Sequence, residues 1–270
     1  MNRHPKLPTS LVLICLWFLL GNCYFNPLVQ PIVNPEVEEG TEAVPFLGIA
    51  AVLSGSKILI TGQVVNANGS AVANGTLTIL SRTNQESGLA NTITLDGGGR
   101  FYQSFSIGET AIKVFDQSGT ELFTFKLSIT GQGIASLAET SVAGAGVINI
   151  EFYMEGSIPA YIDIASTSPI VEGTTFTTWP TYLYISFSEN LEVPSNMQSF
   201  LDANVITNPT IPLIGTNSDI TNNILTIYNS GVGAIGPNTY TFGSGIKSTS
   251  GKSLKPRTLT FLCQPSCNGS

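Results

Sequence analysis

Cys23 stands where a cysteine does one particular kind of chemistry. Ahead of it come Arg3 and Lys6, an apolar run from Leu11 to Leu20, and then Gly21 and Asn22. A basic start, a hydrophobic stretch and a small-residue zone make a secretory signal, and a cysteine directly after such a zone is a place for lipid. The apolar run is about half the roughly 20 residues that a membrane-spanning helix needs. No Ala-x-Ala site stands near Cys23. Lipidation of Cys23 is therefore the expectation, with an ordinary cleaved signal as its rival. Each buried methylene of an acyl chain contributes about 0.8 kcal/mol, and stable anchoring takes two chains or more. A diacylated or triacylated cysteine meets that condition.

Two further cysteines form a close pair in Cys263-Gln264-Pro265-Ser266-Cys267. Fully extended, the spacing holds the Cα atoms about 13 Å apart. Pro265 offers a turn that brings them within the roughly 4.4–6.8 Å a disulfide requires. An oxidising envelope permits the bond, so a Cys263–Cys267 disulfide is expected. Two thiols with no histidine beside them do not suggest a metal site.

Catalytic constellations are scarce. The only histidine is His4, inside the signal. Its removal leaves no Ser-His-Asp triad, no Cys-His pair and no histidine-bound zinc. Paired carboxylates could still serve glycoside hydrolysis. The nearest candidates are Glu189 and Glu192, at a strand-end turn where a solvated loop is the plainer reading. Asp96, Asp116, Asp163, Asp202 and Asp219 are scattered, with no Asp-x-Asp-x-Asp run for calcium. Exposed aromatics often anchor binding surfaces. Tyr24, Phe25 and Trp179 are the candidates, with packing in a core or between domains the plainer reading for Trp179. No catalytic residue, metal or cofactor is expected.

The elements that must position these residues are strands. Charged residues make up 11% of the chain, well under the roughly 25% usual in soluble domains. Polarity comes from Ser, Thr, Asn and Gln instead. The formal net charge of −7, with no stretch dense in Lys and Arg, excludes an electrostatic footprint for nucleic acid. Residues 24–42 are rich in Pro, Asn and Glu and read as an extended tether. Residues 45–53 are apolar but short, and periodicity does not decide between a strand, a docking segment and a short helix.

From Lys57 onward, period-2 patterns alternate with turn signals. Ile58, Ile60 and Val64 share one face. Leu77 and Ile79 form another set, followed by Phe101, Phe105 and Ile107. Phe123, Phe125, Leu127 and Ile129 make a further strand, and Ile148, Ile150, Phe152 and Met154 the last of this group. Gly131 to Gly146 breaks the rhythm, and Ile134 to Thr140 reads as a helical turn or a long loop. Gly156-Ser-Ile-Pro-Ala160 marks a boundary. Beyond it, Leu183, Ile185 and Phe187 share a face, as do Leu225 and Ile227, Tyr240 and Phe242, and Leu259, Phe261 and Cys263.

Three resemblances attach to these residues. Asn22-Cys23 followed by Tyr24-Phe25-Asn26-Pro27 resembles the relaxed lipobox of spirochaetal lipoproteins, leptospiral ones in style. The stretch Gly62 to Ile79, with Asn66-Ala-Asn-Gly69 and Gly75, resembles the opening of a carboxypeptidase regulatory-like domain, as does Thr94-Leu-Asp-Gly-Gly-Gly-Arg-Phe101. Ala73-Asn74 stands where that family often carries a proline. This resemblance covers residues 57–116 and implies a small, non-catalytic β-sandwich. Ser166-Thr-Ser-Pro169, Tyr184-Ile-Ser-Phe-Ser-Glu-Asn-Leu191, Gly236-Pro-Asn-Thr-Tyr-Thr-Phe242 and Ile246 to Leu254 are similar to bacterial Ig-like domains, over about residues 161–262. That family implies spacers, stalks and adhesive modules, an architecture and not a ligand.

The expected organisation is all-β. A signal peptide at 1–22 precedes a lipidated Cys23 and tether at 23–56. Two antiparallel Ig-like β-sandwiches follow in tandem, at 57–156 and 157–270. The expected protein is a monomer held to the outer membrane of a bacterial envelope by its N-terminal lipid, facing the surface or the periplasm. Its expected role is a binding or adhesion module for host or envelope proteins, without catalysis. The alternative is a structural envelope protein whose domains are spacers.

Overall fold

A computed structural model of the chain describes residues 57–267, apart from 132 and 232. Cys23, Tyr24, Phe25, the tether and the apolar segment 45–53 lie outside the described residues. Those described belong to one compact unit, and its regular elements are strands apart from one α-helix and two short helical turns.

The first group of strands runs β1 (Ile58–Val65), β2 (Thr76–Arg82), β3 (Thr92–Thr94), β4 (Arg100–Phe105), β5 (Gly108–Phe115), β6 (Glu121–Gly131), β7 (Ile134–Thr140) and β8 (Gly146–Phe152). They form two antiparallel sheets, ordered β4-β1-β8 and β3-β2-β5-β6-β7. The alternation in the sequence sets which side chains meet between them. Ile60 and Val64 from β1, Phe101 and Phe105 from β4, Ile112 and Val114 from β5, and Phe125 to Ile129 on alternate positions of β6 share one core. Burying each such side chain contributes roughly 1.5–3 kcal/mol.

Two expectations are corrected here. Ile134–Thr140 is neither a helical turn nor a loop but the edge strand β7, paired with β6. Its weak alternation reflects its place: Ile134 is 62% exposed, and only one partner strand constrains it. In β8 the expected face of Ile148, Ile150, Phe152 and Met154 is broken. Val147 is buried in the core while Ile150 and Phe152 pack at its margin, and Met154 is exposed. The cause is a bulge opposite Thr61/Gln63, with Asn149 at φ +52°. One inserted residue moves every later side chain to the other face.

The second group runs β9 (Tyr161–Ile162), β10 (Ile164–Ser168), β11 (Thr175–Phe176), β12 (Tyr182–Phe187), helix α1 (Met197–Asn204), β13 (Val205–Asn208), β14 (Asp219–Thr221), β15 (Ile224–Tyr228), β16 (Gly236–Phe242), β17 (Ser253–Leu254) and β18 (Arg257–Cys263). One sheet is ordered β10-β12-β15-β14 and the facing one β11-β18-β16-β13. That is the strand arrangement of an immunoglobulin-type sandwich. Leu183, Ile185, Phe187, Leu225, Ile227, Tyr240, Phe242, Leu259 and Phe261 fill its core. The pairing is not wholly antiparallel: β11 runs parallel to β18, and β9 parallel to β17. Helix α1 starts at Asn196, whose side chain accepts from the Ser199 N–H at 2.9 Å, and it buries Leu201.

Candidate functional site

The candidate carboxylates do not converge on a reactive centre. Glu189 follows β12 and accepts hydrogen bonds from Lys252 Nζ and from Ser250 Oγ, the latter at 2.7 Å. The hydrogen bond from Lys252 holds it below the ordinary glutamate range. Glu192 is exposed. Asp116 accepts from the N–H groups of Ser118 and Thr120, both at 2.8 Å, and so closes a turn. Asp202 and Asp219 accept from neighbouring side chains on their own elements. Among the described residues there is no group of three or more His, Cys, Asp or Glu able to hold a metal ion.

Asp163 is different, although no sequence pattern sets it apart from the other scattered aspartates. It lies between β9 and β10, 2% exposed, and faces Arg100 of β4 across the junction of the two sandwiches. Arg100 donates from Nε to Oδ2 at 2.7 Å and from Nη2 to Oδ1 at 2.6 Å. Burial works against the Arg100 charge, but hydrogen bonding and attraction to Asp163 outweigh it and raise the guanidinium above its ordinary value. The sheet β4-β1-β8 is therefore covered on both faces, by its own core on one and by residues 159–165 on the other.

The polar side of that sheet supplies further bonds. Gln63 Nε2 donates to Ile164 O at 2.8 Å and to Gly98 O at 2.9 Å. Tyr102 donates to Pro159 O at 2.9 Å, and burial pushes its hydroxyl up to about 12. Ala71 N donates to Ala165 O at 2.7 Å. Arg257 of β18 reaches back to the carbonyls of Gly69 and Ile164. Glu151 of β8 accepts from Lys255 Nζ at 2.5 Å and from Tyr161 OH at 3.2 Å, and the Arg100 guanidinium and Lys255 Nζ lie 5.4 Å and 4.8 Å from the centre of the Tyr161 ring. Gly98 allows this approach: a Cβ there would sit 3.0 Å from Ser188 Cβ and 3.1 Å from Asp163 Cβ.

Beside the junction opens a cleft of about 330 Å³, lined among others by Asp96, Gly98, Tyr102, Tyr161, Glu189 and Lys252. It holds two carboxylates, but both are committed. Asp96 accepts from the N–H groups of Gly98 and Arg100 at 2.8 Å each. Burial raises its pKa against those bonds. Glu189 is paired with Lys252. The arrangement ties loops together and aims neither group at a free nucleophile.

Trp179 is 9% exposed and packs on Phe261, ring centroids 5.8 Å apart, so it belongs to a core. The exposed aromatics are others. Tyr182 and Tyr184 on β12 are 37% and 46% exposed. The Tyr182 ring lies 6.3 Å from Tyr184 and 5.3 Å from Tyr228 of β15, with Tyr182 and Tyr228 directly opposite in the register. The alternation that sends Leu183, Ile185 and Phe187 inward sends these tyrosines outward, which is the signal that sequence reasoning passed over.

Cys263 and Cys267 lie with their Cα atoms 5.5 Å apart, within the span a disulfide requires, at the end of β18 and in the short helical turn after it. Cys23 is outside the described residues.

No family model matches the chain, and no curated protein is similar to it. Among solved structures, it is similar to the D0-D1 domain of Intimin at 14% identity, over 78% of this chain and 92% of that one, with a TM-score of 0.21. So low a TM-score carries no argument about this chain. The fold class rests on the strand order described above.

Proposed function

We propose that the chain is a non-catalytic binding or adhesion module of a bacterial envelope, anchored to the outer membrane through lipid on Cys23 and exposed at the surface. The observation that carries this reading is the outward cluster of Tyr182, Tyr184 and Tyr228. Aromatic side chains in mutual contact on a sheet surface are the usual energetic anchors of recognition. The partners proposed are host or envelope proteins or their attached chains, met by a monomer. Nucleic acid is disfavoured by the acidic balance.

A second reading, that the sandwiches are spacers, is favoured by the buried Arg100–Asp163 junction, which suits a stiff connection. Binding of the purified chain to immobilised matrix and serum proteins and to polysaccharides separates the two. Saturable binding that weakens about tenfold in Tyr182→Ala/Tyr184→Ala supports recognition. Consistent absence of binding leaves the spacer reading. Anchoring is tested by palmitate labelling of wild type and Cys23→Ser, with protease added to intact cells. Loss of label in the variant and cleavage at the surface are expected. Label that survives the substitution removes the basis for lipidation. The Cys263–Cys267 bond is tested by intact mass after alkylation, with and without reductant. No alkyl adduct at either cysteine is expected before reduction.

A further inference from the structure

We infer that the tyrosine face binds a neutral saccharide chain, an inference that rests on the recognition reading above and names its ligand class. The register of the sheet β10-β12-β15-β14 defines what this face presents. Ser166 and Ser168 of β10 lie opposite Ser186 and Tyr184 of β12. Tyr182 and Tyr184 lie opposite Tyr228 and Thr226 of β15. Across these outward positions the rings are bordered by hydroxyl side chains on both sides. Asp219 is the one charged residue among the outward positions of the four strands, and it pairs with Thr226 at the edge. The outer sheet of the first sandwich is the contrast, since it carries the ion pairs Lys113–Glu121 and Lys126–Glu139.

Charge selects the partner class. A chain of net charge −7 repels acidic polymers, and this face has no Lys or Arg to counter that. Cationic partners would find one carboxylate. Tyrosine also anchors protein partners, but the outward positions here add no Trp, Met or Arg to the three rings, and Ile224 is the one aliphatic side chain among them. What remains is a ligand with apolar C–H surfaces for the rings and hydroxyls for the serines and threonines. A pyranose chain without acidic groups has both. The tyrosine hydroxyls make no hydrogen bond to a described residue, so they are free to donate and accept at the rim.

The test is affinity electrophoresis of the full chain through gels containing dextran, mannan or galactan. Wild type is expected to be retarded by at least one of them. Tyr182→Ala/Tyr184→Ala should weaken the retardation about tenfold, while Tyr184→Phe, which keeps the ring, should stay within about threefold. Unchanged melting temperatures establish that the variants are folded. Unretarded migration in all three gels overturns the inference, and so does retardation that the double variant leaves intact. If protein binding survives and depends on the same tyrosines, recognition stands and the saccharide assignment falls. If the tyrosines matter to neither, both fall.

Discussion

Arg100 has a fully buried side chain, and a buried guanidinium is tolerable only while its partners are in place. Removing one member of such a pair leaves the other uncompensated, at a cost of about 3–5 kcal/mol. Arg100→Met is therefore expected to lose stability of that order in urea denaturation, and Arg100→Met/Asp163→Leu to recover much of it. A loss under about 1 kcal/mol in the single variant would mean that the pair is solvated. Glu151 gives a pH dependence. Burial opposes its charge, but Lys255 and Tyr161 outweigh that and hold its pKa below the ordinary 4.5. The stabilisation it provides is present above that value and is lost as pH falls through the lower folded one. The melting-temperature gap between wild type and Glu151→Gln should be widest near neutral pH and narrow as pH falls below 4.5. These roles were not legible in the sequence. Asp163 stands 63 positions from Arg100, and no periodicity reports which loop will cover the outer side of a sheet. The tyrosines were legible in principle, since the pattern that points Leu183 inward points Tyr182 and Tyr184 outward.

Elements were easier to read, because a buried face imposes its period on the sequence. The core positions of β1, β6, β12 and β18 follow from alternation alone. Where the period fails, there is a physical cause: the single-partner edge at β7 and the bulge in β8. Turns were equally plain. In Asp96-Gly97-Gly98-Gly99 the Asp96 carboxylate collects backbone donors while Gly99 takes φ +73°. A Cβ at Gly99 would sit 2.8 Å from Val64 O and 3.0 Å from Val72 N. Gly99→Ala is thus expected to destabilise by more than the roughly 1–3 kcal/mol of the strained dihedral alone, read as a shift in urea midpoint with an unchanged slope. A neutral effect would place the turn in another conformation.

At the scale of the whole molecule, two cores share one chain, one in residues 58–152 and the other in 162–267. A sequence read as tandem sandwiches leaves open whether they swing freely. The contacts of Gln63, Arg100, Tyr102, Asp163 and Arg257 answer that for the described residues: the sandwiches meet through a polar, largely buried junction and form one compact unit. Interfaces between domains of one chain are often loose, and this one is held by a bidentate charge pair. Under the anchoring and recognition proposed above, a stiff unit would give the tyrosine face a fixed direction of presentation. It also makes unfolding of one sandwich cost the contacts of the other. Scanning calorimetry of the full chain measures that coupling directly. Wild type should melt in one transition whose calorimetric and van't Hoff enthalpies agree, and Arg100→Met should split it into two. Two separate transitions in wild type would contradict the coupled unit on which this reading of the protein depends.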